Sequence, residues 1–177
     1  MIDGVMPMSK RAKESISLVQ LSPSDGLEGY EMLQRIGEME NDFSNPVHGK
    51  SFEDYQAWLA QQDAWSREEN LPKGYTGQTC FWLMYNNTIV GLGKIRHCLT
   101  EHSRLEGGNI GIAIDPIQRG KGLATHFIPL LLKRAKEMKI GEILITVKKY
   151  NYPSKNAFQA NGCKVFKETD KWWYLTI

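Results

Sequence analysis

Apolar residues alternate with polar ones from Ile16 to Leu21, and then recur every three or four positions at Leu27, Tyr30, Leu33 and Ile36, a change from the period of a strand to that of a helix. Ser22, Pro23, Ser24 and Asp25 supply turn and N-cap chemistry between them, so the pattern predicts a strand followed by a helix running to about Glu40. A polar break with Asn45, Pro46 and Gly49 follows. Ser51 and Asp54 then flank the start of a second helix, whose buried side carries Tyr55, Trp58, Leu59 and Trp65.

The stretch from Arg67 to Gln78 contains Pro72, Gly74 and Gly77 and reads as a loop. Beyond it, Cys80 to Tyr85 is strongly β-prone, Asn86 and Asn87 tolerate left-handed backbone, and Ile89 to Arg96 resumes a strand, so the pair is a predicted hairpin. Gly91 and Gly93 inside it mark a bulge or a close backbone approach. Asn109 to Ile114 is the next strand, Gly120 to Met138 a long helix and Glu142 to Lys148 another strand, an arrangement for which a right-handed parallel pairing is expected. Pro129 lies inside that helix and removes one hydrogen bond, at a cost of roughly 3 kcal/mol in an ideal interior, so a bend is expected near it. Ser154 to Asn161 is a short helix ending at Gly162, and Val165 to Glu168 with Trp173 to Ile177 are closing strands. The result is an α/β chain with a mixed sheet and helices on both faces. It divides into an N-terminal tail over residues 1–14 and a single domain over residues 15–177.

Composition narrows the class. A chain of 177 residues, 41% hydrophobic and 24% charged, is expected to form one ordinary globular domain. A net charge of +2 with no dense basic stripe argues against nucleic acid as a partner. Cys80, Cys98 and Cys163 are widely spaced, with no CxxC pair and no neighbouring ligand run, so neither a disulfide framework nor a metal site is expected. Cys80 and Cys98 sit in apolar runs and read as small buried hydrophobes. The first fifteen residues lack the apolar stretch of a signal peptide, and no run is long enough to span a membrane, so a cytoplasmic protein without a membrane partner is expected.

Candidate chemistry concentrates between Ile114 and the long helix, in the run Gln118, Arg119, Gly120, Lys121, Gly122, Leu123, Ala124, Thr125. A helix N-terminus offers unpaired N–H groups and partial positive charge, and small residues admit a phosphate to them. A P-loop would need Gly at Asp115 and Ser or Thr at Gly122, and a dinucleotide fingerprint would need Gly or Ala at Thr125; both fail. The pattern Arg/Gln-x-x-Gly-x-Gly/Ala is met by Arg119, Gly122 and Ala124, directly after a strand and opening a long helix. Downstream, Asn151, Ser154, Asn156, Ala157 and Phe158 lead to Gly162, with Cys163 at a usual Phe position. On these residues the chain resembles the GNAT superfamily of N-acetyltransferases, most closely over Thr79 to Gly162.

The resemblance implies a GNAT-like fold, mostly antiparallel with one splayed parallel strand pair, and acetyl-CoA as cosubstrate. Its pyrophosphate would meet the backbone of Gln118 to Thr125. Its pantetheine arm would lie between the splayed strands, against main-chain groups of Ile112 and Ile114, with Asn151, Ser154 and Asn156 also contacting the cofactor. The acceptor would be an amine, of a small molecule or a protein. Many members protonate the departing thiolate with a Tyr; Phe158 stands there in this chain, leaving Tyr150, Tyr152, Ser154 or water as substitutes. Arg96, His97 and the Gly107–Gly108 turn are similar to a branch of uncharacterised predicted acetyltransferases. Candidate bases are Glu101, Glu106 and His97, with Glu40 and Asp42 as further groups able to hold an ammonium. One of the five tryptophans, from the Trp172–Trp173 pair, is a candidate for the acceptor side. A catalytically silent acyl-CoA-binding module is the alternative reading, and a homodimer is left open.

Overall fold

A computed structural model of the chain describes residues 14–177. The expected tail over residues 1–14 therefore lies, apart from Glu14, outside the described residues. In chain order the elements are β1 (Ile16–Gln20), α1 (Leu27–Arg35), β2 (Met39–Glu40), β3 (Phe43–Ser44), α2 (Phe52–Ser66), β4 (Gln78–Tyr85), β5 (Thr88–Arg96), α3 (Glu101–Leu105), β6 (Ile110–Ile114), α4 (Leu123–Glu137), β7 (Ile145–Lys148), α5 (Tyr152–Ala160), β8 (Lys164–Glu168) and β9 (Trp172–Thr176).

The β4–β5 hairpin organises the fold. Asn86 and Asn87 take φ of 48° and 62°, the left-handed pair that a tight two-residue turn requires. The long sheet has the order β1-β4-β5-β6, every neighbour antiparallel, and a second sheet has the order β7-β9-β8. Alternation along β4 sends Cys80 and Trp82 into a core with α1 and α2, while Phe81 and Leu83 face α4, so helices cover both faces as expected. Trp173 packs in the α4 core and Trp172 against Leu144 and Tyr174, on opposite sides of β9. At Gly91 any Cβ would stand 2.3 Å from the Ala113 carbonyl, which explains that glycine as a close β5–β6 approach.

Several expectations need correction. The first helix ends at Arg35, not near Glu40, because the buried Asn45 amide donates to the carbonyls of Leu33 and Ile36 at 2.7 and 2.8 Å and closes the helix end. The following residues form the β2–β3 hairpin instead. Asp25 does not cap that helix; it accepts from Trp82 Nε1 at 2.7 Å. Leu27 is exposed, and the buried stripe is Met32, Leu33 and Ile36. Cys98 is exposed, because it follows the end of β5 in the connection to α3; Cys80 and Cys163 are buried.

The expected β6–β7 pairing is also absent as a ladder. The two strands are joined only at their beginnings, where Asn109 N donates to Leu144 O at 2.7 Å and Leu144 N to Asn109 Oδ1 at 2.9 Å. Gly107 N adds a bond to Thr146 Oγ1 at 2.7 Å. Beyond that clamp the strands belong to different sheets, and a cleft opens between them.

Candidate active site

The cleft has a volume of about 570 Å³. One side is the edge of β6. Asp115 N donates to Val90 O, so in the antiparallel ladder Ala113 and Gly111 also turn their main-chain groups towards β5. Ile112 and Ile114 therefore turn theirs away, towards the gap; Ile114 O accepts from Arg119 Nε at 3.0 Å, while the Ile112 N–H and carbonyl are open. The opposite side consists of Thr146, Val147, Asn151, Pro153, Ser154, Ala157 and Phe158. Asn151 is the N-cap of α5, its Oδ1 accepting from Ser154 N at 3.3 Å.

The far end of the cleft is the turn into α4. Gly120 and Gly122 have φ of 77° and 72°, in the left-handed region that glycine alone enters cheaply. Because the turn is wound this way and the helix begins at Leu123, the amides of Gly120, Lys121, Gly122, Leu123 and Ala124 have no partner among the described residues. Five adjacent N–H donors at the positive end of a fifteen-residue helix form an anion cradle. Asp115, 1% exposed, fixes this turn: it binds Arg35 through both carboxylate oxygens and accepts from Ile117 N.

The charged residues of the turn behave differently from the sequence expectation. Arg119 is held by Glu40 through two bonds of 2.6 and 2.8 Å, and that guanidinium keeps the Glu40 carboxyl below its ordinary pKa. Its charge is thus shared with a carboxylate rather than free at the rim. Lys121 donates to Gln118 Oε1 at 2.6 Å and does not line the cleft. Gln118, Arg119, Gly120, Gly122, Leu123, Ala124 and Thr125 do line it, as do Ile112, Ile114, Asn151 and Ser154; Asn156 is exposed on α5 and does not.

A second cavity of about 830 Å³ adjoins the cleft, and Asp42 and Gly107 line both. Asp42 is placed there by the β2–β3 turn, in which Asn41 and Asp42 have φ of 50° and 72°, and its carboxylate pairs with Lys148 at 3.1 Å. Of the candidate bases, Glu106 lines this second cavity. Glu101 lines neither space, and both ring nitrogens of His97 are engaged, Nε2 with Thr79 Oγ1 at 2.9 Å and Nδ1 with Glu68 Oε1 at 3.2 Å. Phe158 is buried against the cleft; Ser154 is the only hydroxyl among the suggested substitutes that reaches it, since Tyr150 and Tyr152 are exposed elsewhere. Trp172 and Trp173 line neither space, and the tryptophans of the second cavity are Trp58 and Trp65.

Lys94 and Arg96, on one face of β5, line the second cavity; the sequence marks Arg96 only through the Arg96–His97 resemblance, and Lys94 was not singled out. The available signal was two cations at alternate positions of an otherwise apolar, glycine-containing strand. Among the described residues no group of three His, Cys, Asp or Glu side chains is gathered as metal ligands would be, and no helix is long and apolar enough to cross a membrane.

A helix-covered antiparallel sheet, split beside a helix N-terminus that presents free amides, is a class of fold with a cleft suited to an extended anionic ligand. Residues 34–163 match the acetyltransferase (GNAT) family, and the chain belongs to that family. No curated protein sequence matches it. Among solved structures it is similar to the Campylobacter jejuni N-acetyltransferase PseH in complex with acetyl coenzyme A, at 15% identity and TM-score 0.61, covering 92% of this chain and 98% of that one. It is also similar to the microcin C7 self-immunity acetyltransferase MccE in complex with acetyl-CoA and AMP, at 14% identity and TM-score 0.67, covering 92% and 91%. A third likeness is to the aminoglycoside acetyltransferase AAC(6')-Ib in complex with coenzyme A, at 18% identity and TM-score 0.64, covering 92% and 94%.

Proposed function

We propose that this protein is a cytoplasmic acetyl-CoA-dependent N-acetyltransferase whose acceptor amine enters from the second cavity. The observation that carries this reading is the continuous path from five free amides at α4, along the open edge of β6, to a junction with a separate cavity at Asp42 and Gly107. Acetyl-CoA supplies an acetyl thioester and a pyrophosphate. The amides of Gly120 to Ala124 suit the pyrophosphate, and the Ile112 edge suits the amide groups of a pantetheine arm.

The chain's residues then have assignable tasks. Asp42 attracts the ammonium form of the acceptor to the junction, and its carboxylate takes the proton there, directly or through water. Glu106 stands further along the same cavity. The Ile112 N–H, fixed on the open edge, stabilises negative charge developing on the acetyl oxygen. Ser154, lining the cleft, holds a proton for the sulfur in this reading. No acid is obligatory, since a thiol with a pKa of about 8.5 is a tolerable leaving group near neutral pH.

Phe158, buried at the cleft with no proton to give, favours the alternative of a catalytically silent acyl-CoA-binding module. Free-thiol release from acetyl-CoA over a panel of amines separates the two. Amine-dependent release, reduced at least tenfold by Asp42→Asn, is the expected result; CoA binding without release on any amine would assign the silent module.

A further inference from the structure

Lys94 and Arg96 alternate along β5, so both side chains leave the same face of the strand, into the second cavity. Lys94 is 8% exposed, and a buried ammonium is costly unless it is paired. It has one hydrogen bond for three protons, to Ser44 O at 2.6 Å, and lies 4.3 Å from the centre of the Phe43 ring. Arg96 places one guanidinium nitrogen on the carbonyls of Gly107 and Gly108, both at 3.0 Å. Neither cation forms an ion pair with any carboxylate among the described residues. Burial draws the Lys94 ammonium down to about 8, because the charged form is poorly solvated where it stands.

These cations stand close to the reacting edge. Lys94 is opposite Gly111 in the β5–β6 register, one residue before Ile112, and a Cβ at Gly111 would lie 3.9 Å from that of Lys94. Asp42, at the junction, carries the opposite charge, which it shares with Lys148 at 3.1 Å and would offer to an incoming ammonium in that ion's place. Trp65 and Tyr75, with ring centres 5.5 Å apart, add an aromatic wall.

We propose that the acceptor is an amphoteric amine, its ammonium received at Asp42 and an anionic carboxylate or phosphate group received by Lys94 and Arg96. This rests on the transfer reading above and narrows its acceptor from any amine to one carrying an anion a few bonds away.

Calorimetric titration with matched amines, with and without CoA, tests it: L-tryptophan against tryptamine for a carboxylate, and O-phosphoethanolamine against ethanolamine for a phosphate. Thiol release from acetyl-CoA is recorded on the same four compounds. At least tenfold tighter binding of the anionic member is expected in one arm, which identifies the anion, and Lys94→Met is expected to erase that preference while keeping CoA binding. Should Lys94→Met fail to fold, the wild-type pairs decide alone. Neutral members binding as well as anionic ones in both arms, no binding by any of the four, or an undiminished preference in Lys94→Met would each overturn the proposal. Tight anionic binding without thiol release would contradict the transfer reading and leave the anion site standing.

Discussion

Lys94 is the residue whose energetics reveal most about the site. Its pKa is depressed from 10.5 to about 8, chiefly by burial. Below about pH 8 it is charged in both folded and unfolded chains, so the full cost of burying the ammonium is present. Between about 8 and 10.5 the folded chain has already lost the proton and the cost fades, so this group's contribution to stability improves as pH rises through that window. With one pKa unit worth about 1.4 kcal/mol, and about 1 kcal/mol subtracted for the lost Ser44 bond, Lys94→Met should stabilise the fold by about 2 kcal/mol at pH 7. Urea denaturation at pH 7 and pH 10 should show that gain and then its loss; equal stability of the two proteins at pH 7 would contradict it. Gly122 makes a different point. A Cβ there would enter open space, so Gly122→Val should cost at least about 1–2 kcal/mol, chiefly through left-handed backbone strain, and disorder the amides aimed at the cleft.

At the scale of elements, the cleft exists because Asn109 binds Leu144 twice and nothing extends that pairing. Asn109→Ala removes an acceptor from the buried Leu144 amide and a donor from Arg96 O, so a loss of about 2 kcal/mol is expected in denaturant midpoints. Pro129, inside α4, leaves the Thr125 carbonyl without its helical N–H. Asn161 supplies the replacement, its Nδ2 donating to Thr125 O and to Ala157 O at 2.9 Å each, and so ties α5 to α4. Asn161→Ala should therefore cost about 1 kcal/mol in the natural chain and less in a Pro129→Ala background, where the helix can satisfy Thr125 itself. Additive losses in that double-mutant cycle would rule the coupling out.

For the whole molecule, what could be read from sequence was what local periodicity and glycine placement encode. The Asn86–Asn87 hairpin, the α4 turn and the two-sided sheet follow from short-range patterns, and the family resemblance on Arg119, Gly122 and Ala124 agrees with the match over residues 34–163. What depended on distant partners was not legible. Asn45 truncating α1 from a neighbouring loop, Glu40 neutralising Arg119 across 79 positions, and His97 being held by Thr79 and Glu68 are all tertiary contacts that no local periodicity encodes. The second cavity escaped notice for the same reason, since α2, the loop before β4, and β5 each contribute only a few of its residues. Its Lys94 looks like an ordinary strand position until the sheet buries it, and the half-buried Arg96 beside it shows its place in the cavity only in the fold.

The split between β6 and β7, ending on the amides of Gly120 to Ala124, should bind coenzyme A if the proposed function holds. Calorimetric titration of the wild-type protein and of Gly122→Val with CoA tests it most directly. One CoA per chain, with affinity at least tenfold lower in Gly122→Val while its thermal unfolding remains cooperative, is the predicted result. No CoA binding by the wild-type protein, or equal affinity in the two, would contradict it.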